Sequence, residues 1–149
     1  MTHRRIAPGL GLALAFVALA SCGSAHDVGD LDADDSPVAR YDWDPADGGD
    51  SALMEGTLEL IDGCLCIVGA GETDGLITVP VFSRSLTSWD ADSRVLTYAG
   101  RDYALGDPVS AGGGWGPPTS AMIIPGACEP DAWGEVMHVQ SPDLEPYAG

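Results

Sequence analysis

The chain has 149 residues, in which 23 aspartates and glutamates face six arginines and no lysine, for a formal net charge of −17 and a pI of about 4.1. Such a surface repels nucleic-acid phosphates and anionic lipid headgroups, which excludes nucleic-acid binding and unaided adhesion to a membrane. The length suits one small folded domain with flanking segments.

The chain opens on His3, Arg4 and Arg5, followed by an apolar run from Ile6 to Ala20 interrupted only by Pro8 and Gly9. A charged start, a short apolar core and small residues after it form the layout of a secretory signal peptide, here residues 1–21. Fifteen helical residues reach about 22 Å, short of the roughly 30 Å of hydrocarbon that a permanent span must cross. The run closes on Leu19-Ala20-Ser21-Cys22, which looks like the lipobox of bacterial lipoproteins. That resemblance implies cleavage after Ser21, a diacylglycerol on the Cys22 thiol, and an extracytoplasmic protein whose first partner is membrane lipid. One acyl chain holds a protein only marginally, whereas the two or three on such lipoproteins, palmitate among them, anchor it stably. Cleavage removes two arginines and no acid, which takes the formal charge from −17 to −19.

Residues 22–50 read as the lipidated N-terminus and a disordered acidic tether, since nine aspartates and one arginine fall between Gly23 and Asp50 and apolar side chains are few. Asp30, Asp32 and Asp34, and again Asp42, Asp44 and Asp47, suggest a calcium loop. An EF-hand also needs glycine at the sixth position and glutamate at the twelfth; the first register offers Asp35 and Tyr41 there, the second Asp47 and Leu53. No metal site is therefore expected.

The β domain is expected over residues 51–141, with a tail at 142–149. Met54 to Leu60 alternates apolar and polar side chains, the period of a half-buried strand. Asp62-Gly63 signals a tight hairpin, and Cys64 to Val68 returns with apolar residues on both faces. Leu76 to Phe82 is the third strand, with Pro80 marking an edge or bulge. Ser83 to Asp92 reads as a wide loop or helical turn, Val95 to Tyr98 as a fourth strand, and Tyr103 to Leu105 as extended. Ala121 to Ile124 and Trp133 to Val139 complete the set. Five or six strands without a periodic helix predict an all-β fold, a small OB-like barrel or compact sandwich.

Two glycine-rich stretches invite chemistry. Val68 to Gly75 superficially resembles a dinucleotide fingerprint, but a strand follows where a helix is required, and Glu72 and Asp74 repel phosphate. It reads as a turn, and no cofactor is expected. Gly112, Gly113, Gly114 and Trp115 form the candidate binding loop: glycines admit close backbone approach, and an exposed indole can stack on a sugar or another ring. The competing reading makes the glycines a bulge or broad turn and Trp115 a lid on the core.

The order of Gly56-Thr57-Leu58, Gly63-Cys64-Leu65, Tyr103 to Val109, the Gly112–Gly114 run and Pro125-Gly126-Ala127-Cys128 resembles small extracytoplasmic β domains of actinobacterial proteins, often lipoproteins. The resemblance implies an OB-like barrel stapled by one disulfide, with no activity or catalytic residue to carry over. It pairs Cys64 with Cys128. Cys66 departs from the pattern, and Cys66 with Cys128 is the alternative, because strand alternation points Cys64 and Cys66 the same way. With Cys22 acylated, one of the three remaining thiols is left over.

An enzyme needs a base, and after cleavage only His26 and His138 remain. Ser110 or Ser120, His138 and Asp107 can be combined into a nominal triad, but no nucleophile elbow accompanies them. The expectation is a non-catalytic, membrane-anchored envelope lipoprotein serving as a structural or interaction module, with an envelope protein or glycan as candidate partner. The alternative is a binding module for a glycan, a small ligand or a divalent cation.

Overall fold

The computed structural model describes residues 36–129 and 134–144. The signal peptide, Cys22, the tether as far as residue 35, Trp133 and the last five residues of the tail lie outside them. The described part is all-β. Eight strands form one sheet, in the spatial order β10 (Met122–Ile123), β1 (Ala39–Tyr41), β5 (Pro80–Ser83), β11 (Val136–Val139), β9 (Pro108–Gly116), β2 (Ala52–Ile61), β3 (Cys64–Gly69) and β4 (Ile77–Thr78). Three form a second, in the order β6 (Thr87–Asp90), β7 (Val95–Tyr98) and β8 (Arg101–Ala104). Among the described residues there is no α-helix, and no helix is long and apolar enough to cross a membrane.

β2 (Ala52–Ile61) and β3 (Cys64–Gly69) make the hairpin expected at Asp62-Gly63. Both turn residues have positive φ, 50° and 88°, as the tight turn that matches strand twist requires. Met54 and Leu58 are buried on one face of β2 while Glu59 on the other is exposed. β3 is buried on both faces, with Leu65 and Ile67 in one apolar cluster and Cys64 and Cys66 in another.

The expected third strand is two short ones, β4 (Ile77–Thr78) and β5 (Pro80–Ser83), with Val79 between them. β4 pairs with β3, whereas β5 lies between β1 (Ala39–Tyr41) and β11 (Val136–Val139). Proline lacks the amide proton that a ladder uses, so Pro80 stands where the run changes partners. The sheet is not closed as a barrel, contrary to the barrel form of the expectation. It curls strongly enough that one chain run reaches from its β4 edge to its interior.

β6 (Thr87–Asp90), β7 (Val95–Tyr98) and β8 (Arg101–Ala104) form the second sheet. Its Trp89, Leu96, Tyr98 and Tyr103 join Met54, Leu58, Leu65, Ile67, Phe82 and Met137 in the larger core cluster. Of the wide loop or helical turn expected over 83–92, the helical turn forms, as a 3-10 turn at Arg84–Leu86, and an unexpected strand follows it. Trp89, only 6% exposed, is among the side chains through which the second sheet packs on the first.

Both flanking segments depart from expectation. Ser36 to Arg40 is buried and β1 pairs in parallel with β5, so the fold already includes residues assigned to the acidic tether. Aspartates on either side dominate the local composition and conceal Pro37-Val38-Ala39, whose burial only the sheet provides. At the other end Leu144, assigned to the tail, is fully buried, and its N–H donates to the Tyr103 hydroxyl at 3.4 Å.

The disulfide joins Cys64 to Cys128, the pairing implied by the resemblance. Cys64 begins β3 beside the 3-10 turn Gly126–Cys128, while Cys66 lies two positions further along the strand, about 7 Å away. Cys66 is a free, fully buried thiol in the same cluster, and burial pushes its pKa up to about 11.

Candidate functional site

The glycine run is not a loop. β9 (Pro108–Gly116) passes straight through it, bounded by β2 on one side and β11 on the other. Gly113 lies between Ala52 and Val139, and Gly114 is opposite His138. A Cβ on Gly113 would come within 1.9 Å of the His138 carbonyl oxygen, and one on Gly114 within 2.2 Å of Asp50 Oδ2. Gly113 and Gly114 serve close approach of neighbouring backbone and a carboxylate, and the binding-loop assignment of Gly112, Gly113 and Gly114 is corrected: all three are strand interior. The signal that suggests a loop, glycine content, is the same signal that close interstrand packing leaves.

Trp115, next along β9 and opposite Met137, is 37% exposed. It lines a groove of about 300 Å³ with Leu76, Ile77, Thr78 and Glu135. The origin of the groove lies in the sheet. The parallel β5–β11 ladder has Met137 against Pro80, and the Met137 N–H donates to the Val79 carbonyl at 3.0 Å. Carried back two residues, that register would set Glu135 against Thr78, but no pairing forms there. The two runs separate, and the groove opens between them. Leu76 and Ile77 on its wall are 44% and 37% exposed, an apolar pair left to solvent beside an indole. Leu76, Ile77 and Glu135 are not marked as site residues in the sequence, because nothing in strand alternation tells an unpaired strand end from a paired one.

A second concavity, about 260 Å³, is lined by Asp42, Trp43, Asp44, Asp47 and Ser85. Two of its three carboxylates have structural work: Asp44 accepts from the Ala46 N–H at 2.8 Å and caps a 3-10 turn, and Asp42 lies 3.7 Å from Arg84 Nε. Among the described residues no group of three or more His, Cys, Asp or Glu side chains is placed to hold a metal ion.

The nominal triad does not assemble through Ser110. Gly114 is the cross-strand neighbour of His138, and Ser110 is four residues away along β9, about 13 Å. Asp107 instead accepts from the Ala104 N–H at 2.7 Å and closes a turn. Ser120 is exposed in the connection before β10 (Met122–Ile123). His138 stacks at a tilt 5.8 Å from the Tyr41 ring, and its buried Nε2 has no hydrogen-bond partner among the described residues. Burial lowers the His138 pKa, and the nearby Asp50 charge partly opposes this. The Tyr41 hydroxyl donates to the Val139 carbonyl at 3.1 Å, and its pKa is raised to about 12, chiefly by burial. The Tyr41 side chain thus ties β1 to β11 across the intervening β5, through the Val139 carbonyl and the His138 ring.

The site so defined is a split in an all-β sheet, apolar on one wall and carrying one indole and one carboxylate. No family model, curated protein or solved structure matches the chain.

Proposed function

We propose that the chain is an extracytoplasmic binding module, anchored to the cell membrane through lipid on Cys22, whose ligand site is the Trp115 groove. The observation that carries this reading is the contrast between two tryptophans. Trp89 is buried in the core, while Trp115 stands more than a third exposed in a concavity beside Leu76 and Ile77. Leaving apolar area in water forgoes about 25 cal/mol per Å², and three apolar side chains gathered in one hollow, not scattered singly, support reading it as a surface for a partner. The anchoring half rests on the lipobox-like Leu19-Ala20-Ser21-Cys22 and the export segment before it. A purely structural envelope role is the second reading.

Each half has its own test. Cys22→Ala should move the protein from the membrane to the soluble fraction, and full retention would end the anchoring argument. For the groove, the full chain and Trp115→Ala are titrated with a neutral β-linked tetrasaccharide and with a basic hexapeptide. Binding by either probe that weakens in the variant supports the module. Absence of any such binding returns the protein to the structural reading.

A further inference from the structure

The groove has a sign as well as a shape, and that sign selects a class of ligand. We infer that its occupant is a cationic side chain, lysine or arginine, presented by a basic peptide segment of a partner protein. The inference rests on the reading of the groove as the ligand site and adds the chemistry of what enters it.

Three features converge on a cation. The first is the pairing of an exposed indole with a carboxylate: Trp115 and Glu135 line the same hollow. The face of an indole attracts a cation more strongly than any other aromatic ring does, and a carboxylate beside it adds a charge-assisted acceptor. Among the described residues Glu135 has no ion-pair partner, so its acceptor capacity is uncommitted. That distinguishes this groove from the one around Trp43, where Asp44 caps a turn and Asp42 faces Arg84.

The second feature is the absence of competing positive charge among the described residues around the groove. The chain has no lysine, and Arg40, Arg84, Arg94 and Arg101 stand on β1, a 3-10 turn, the β6–β7 connection and β8, not on the strands that line the groove. The turn leading into Leu76 instead carries Glu72 and Asp74, both exposed. An arriving cation therefore meets an attractive field across this face, reinforced by a formal charge of −17 on the whole chain.

The third feature is the aliphatic wall. Leu76 and Ile77 can cover the methylene stem of lysine or arginine while its head reaches Glu135 and the ring. A small inorganic cation has no use for that wall, and a neutral sugar, although its hydroxyls can donate to a carboxylate, gains nothing from the negative field around it. A side chain with an apolar stem and a charged end uses both.

The test compares hexa-arginine with hexa-citrulline, which keeps the shape and loses the charge, and with a neutral β-linked tetrasaccharide. Titrations of the full chain by calorimetry are run at low salt and at roughly 0.5 M salt, where surface electrostatics are screened. The expected result is binding of hexa-arginine at least about tenfold tighter than hexa-citrulline, weakened by salt and weakened about fivefold by Trp115→Ala and by Glu135→Gln. Glu59→Gln, a charge-matched change on exposed β2 surface, should leave it unchanged. Equal binding of hexa-citrulline, or Trp115-dependent binding of the tetrasaccharide alone, would overturn the cationic inference and leave the groove as a ligand site. Hexa-arginine binding that ignores both groove variants, or falls equally in Glu59→Gln, would reduce the effect to overall charge and also overturn it. No Trp115-dependent binding of any probe would remove both the inference and the binding reading. Unchanged thermal melting of Trp115→Ala and Glu135→Gln separates lost contact from lost fold.

Discussion

Gly113 of β9 lies so close to His138 of β11 that a single added Cβ would stand 1.9 Å from the His138 carbonyl oxygen. The obstacle is backbone, so no side-chain rotation can relieve it. Gly113 also has a φ of +156°, which L side chains rarely adopt.

Gly113→Ala should therefore destabilise the fold by about 3 kcal/mol, through forced separation of two paired strands. Gly126, in the 3-10 turn before Cys128, has no heavy atom within 4 Å of where a Cβ would stand and no positive φ. Gly126→Ala should remain within about 1 kcal/mol of the parent. Denaturant midpoints of the two variants decide the matter, and equal midpoints would contradict the packing argument.

Opening the Cys64–Cys128 bridge frees a loop with a sequence separation of 64. The chain-entropy model assigns such a closure about 4 kcal/mol. Melting with and without reductant should show a loss of that order, and the Cys64→Ala/Cys128→Ala double variant should match the reduced protein. A reduced protein that melts with the oxidised one would show that the staple adds nothing.

Cys66 should be inert in the native state. Its side chain is fully buried and its pKa is raised to about 11 by burial, so near neutral pH only a minute fraction of molecules would carry the reactive thiolate. Alkylation monitored by mass spectrometry should label it in denaturant and spare it in buffer. Rapid labelling of the folded chain would place Cys66 at the surface instead.

Acidification should act on stability through His138. Burial lowers its pKa in the folded state below the value of about 6.5 expected when unfolded. Between those two values the unfolded chain binds more protons, so stability falls as pH falls. The contribution is fully present above about pH 6.5 and is lost as pH drops through the unfolded value toward the folded one. His138→Gln should flatten that part of the stability curve relative to the parent, read as the difference between two urea series at about pH 7 and about pH 5, on either side of the unfolded value. Parallel curves would mean that the imidazole titrates alike in both states.

Much of the strand content is legible in local pattern. Alternation over Met54–Leu60 and Val95–Tyr98, and the Asp62-Gly63 turn, describe contacts between residues close in sequence, and the strands and hairpin form there. Burial of Pro37-Val38-Ala39 and of Leu144 is hidden, because each is covered by strands far away in the chain. The glycine run misleads for a related reason. Its composition is equally compatible with a free turn and with strands pressed together, and only the positions of His138 and Asp50 distinguish them.

Composition and short-range periodicity are local properties, and they suffice for the all-β character, the strongly acidic charge balance, and the apolar run that ends at Cys22. That the sheet stays open, that Trp115 faces a groove, and that Glu135 shares it with Leu76 and Ile77 are settled only by the folded chain. The groove exists because β4 and the run into β11 part company before Pro80, and the register of two strands so far apart in the chain is written in neither of them.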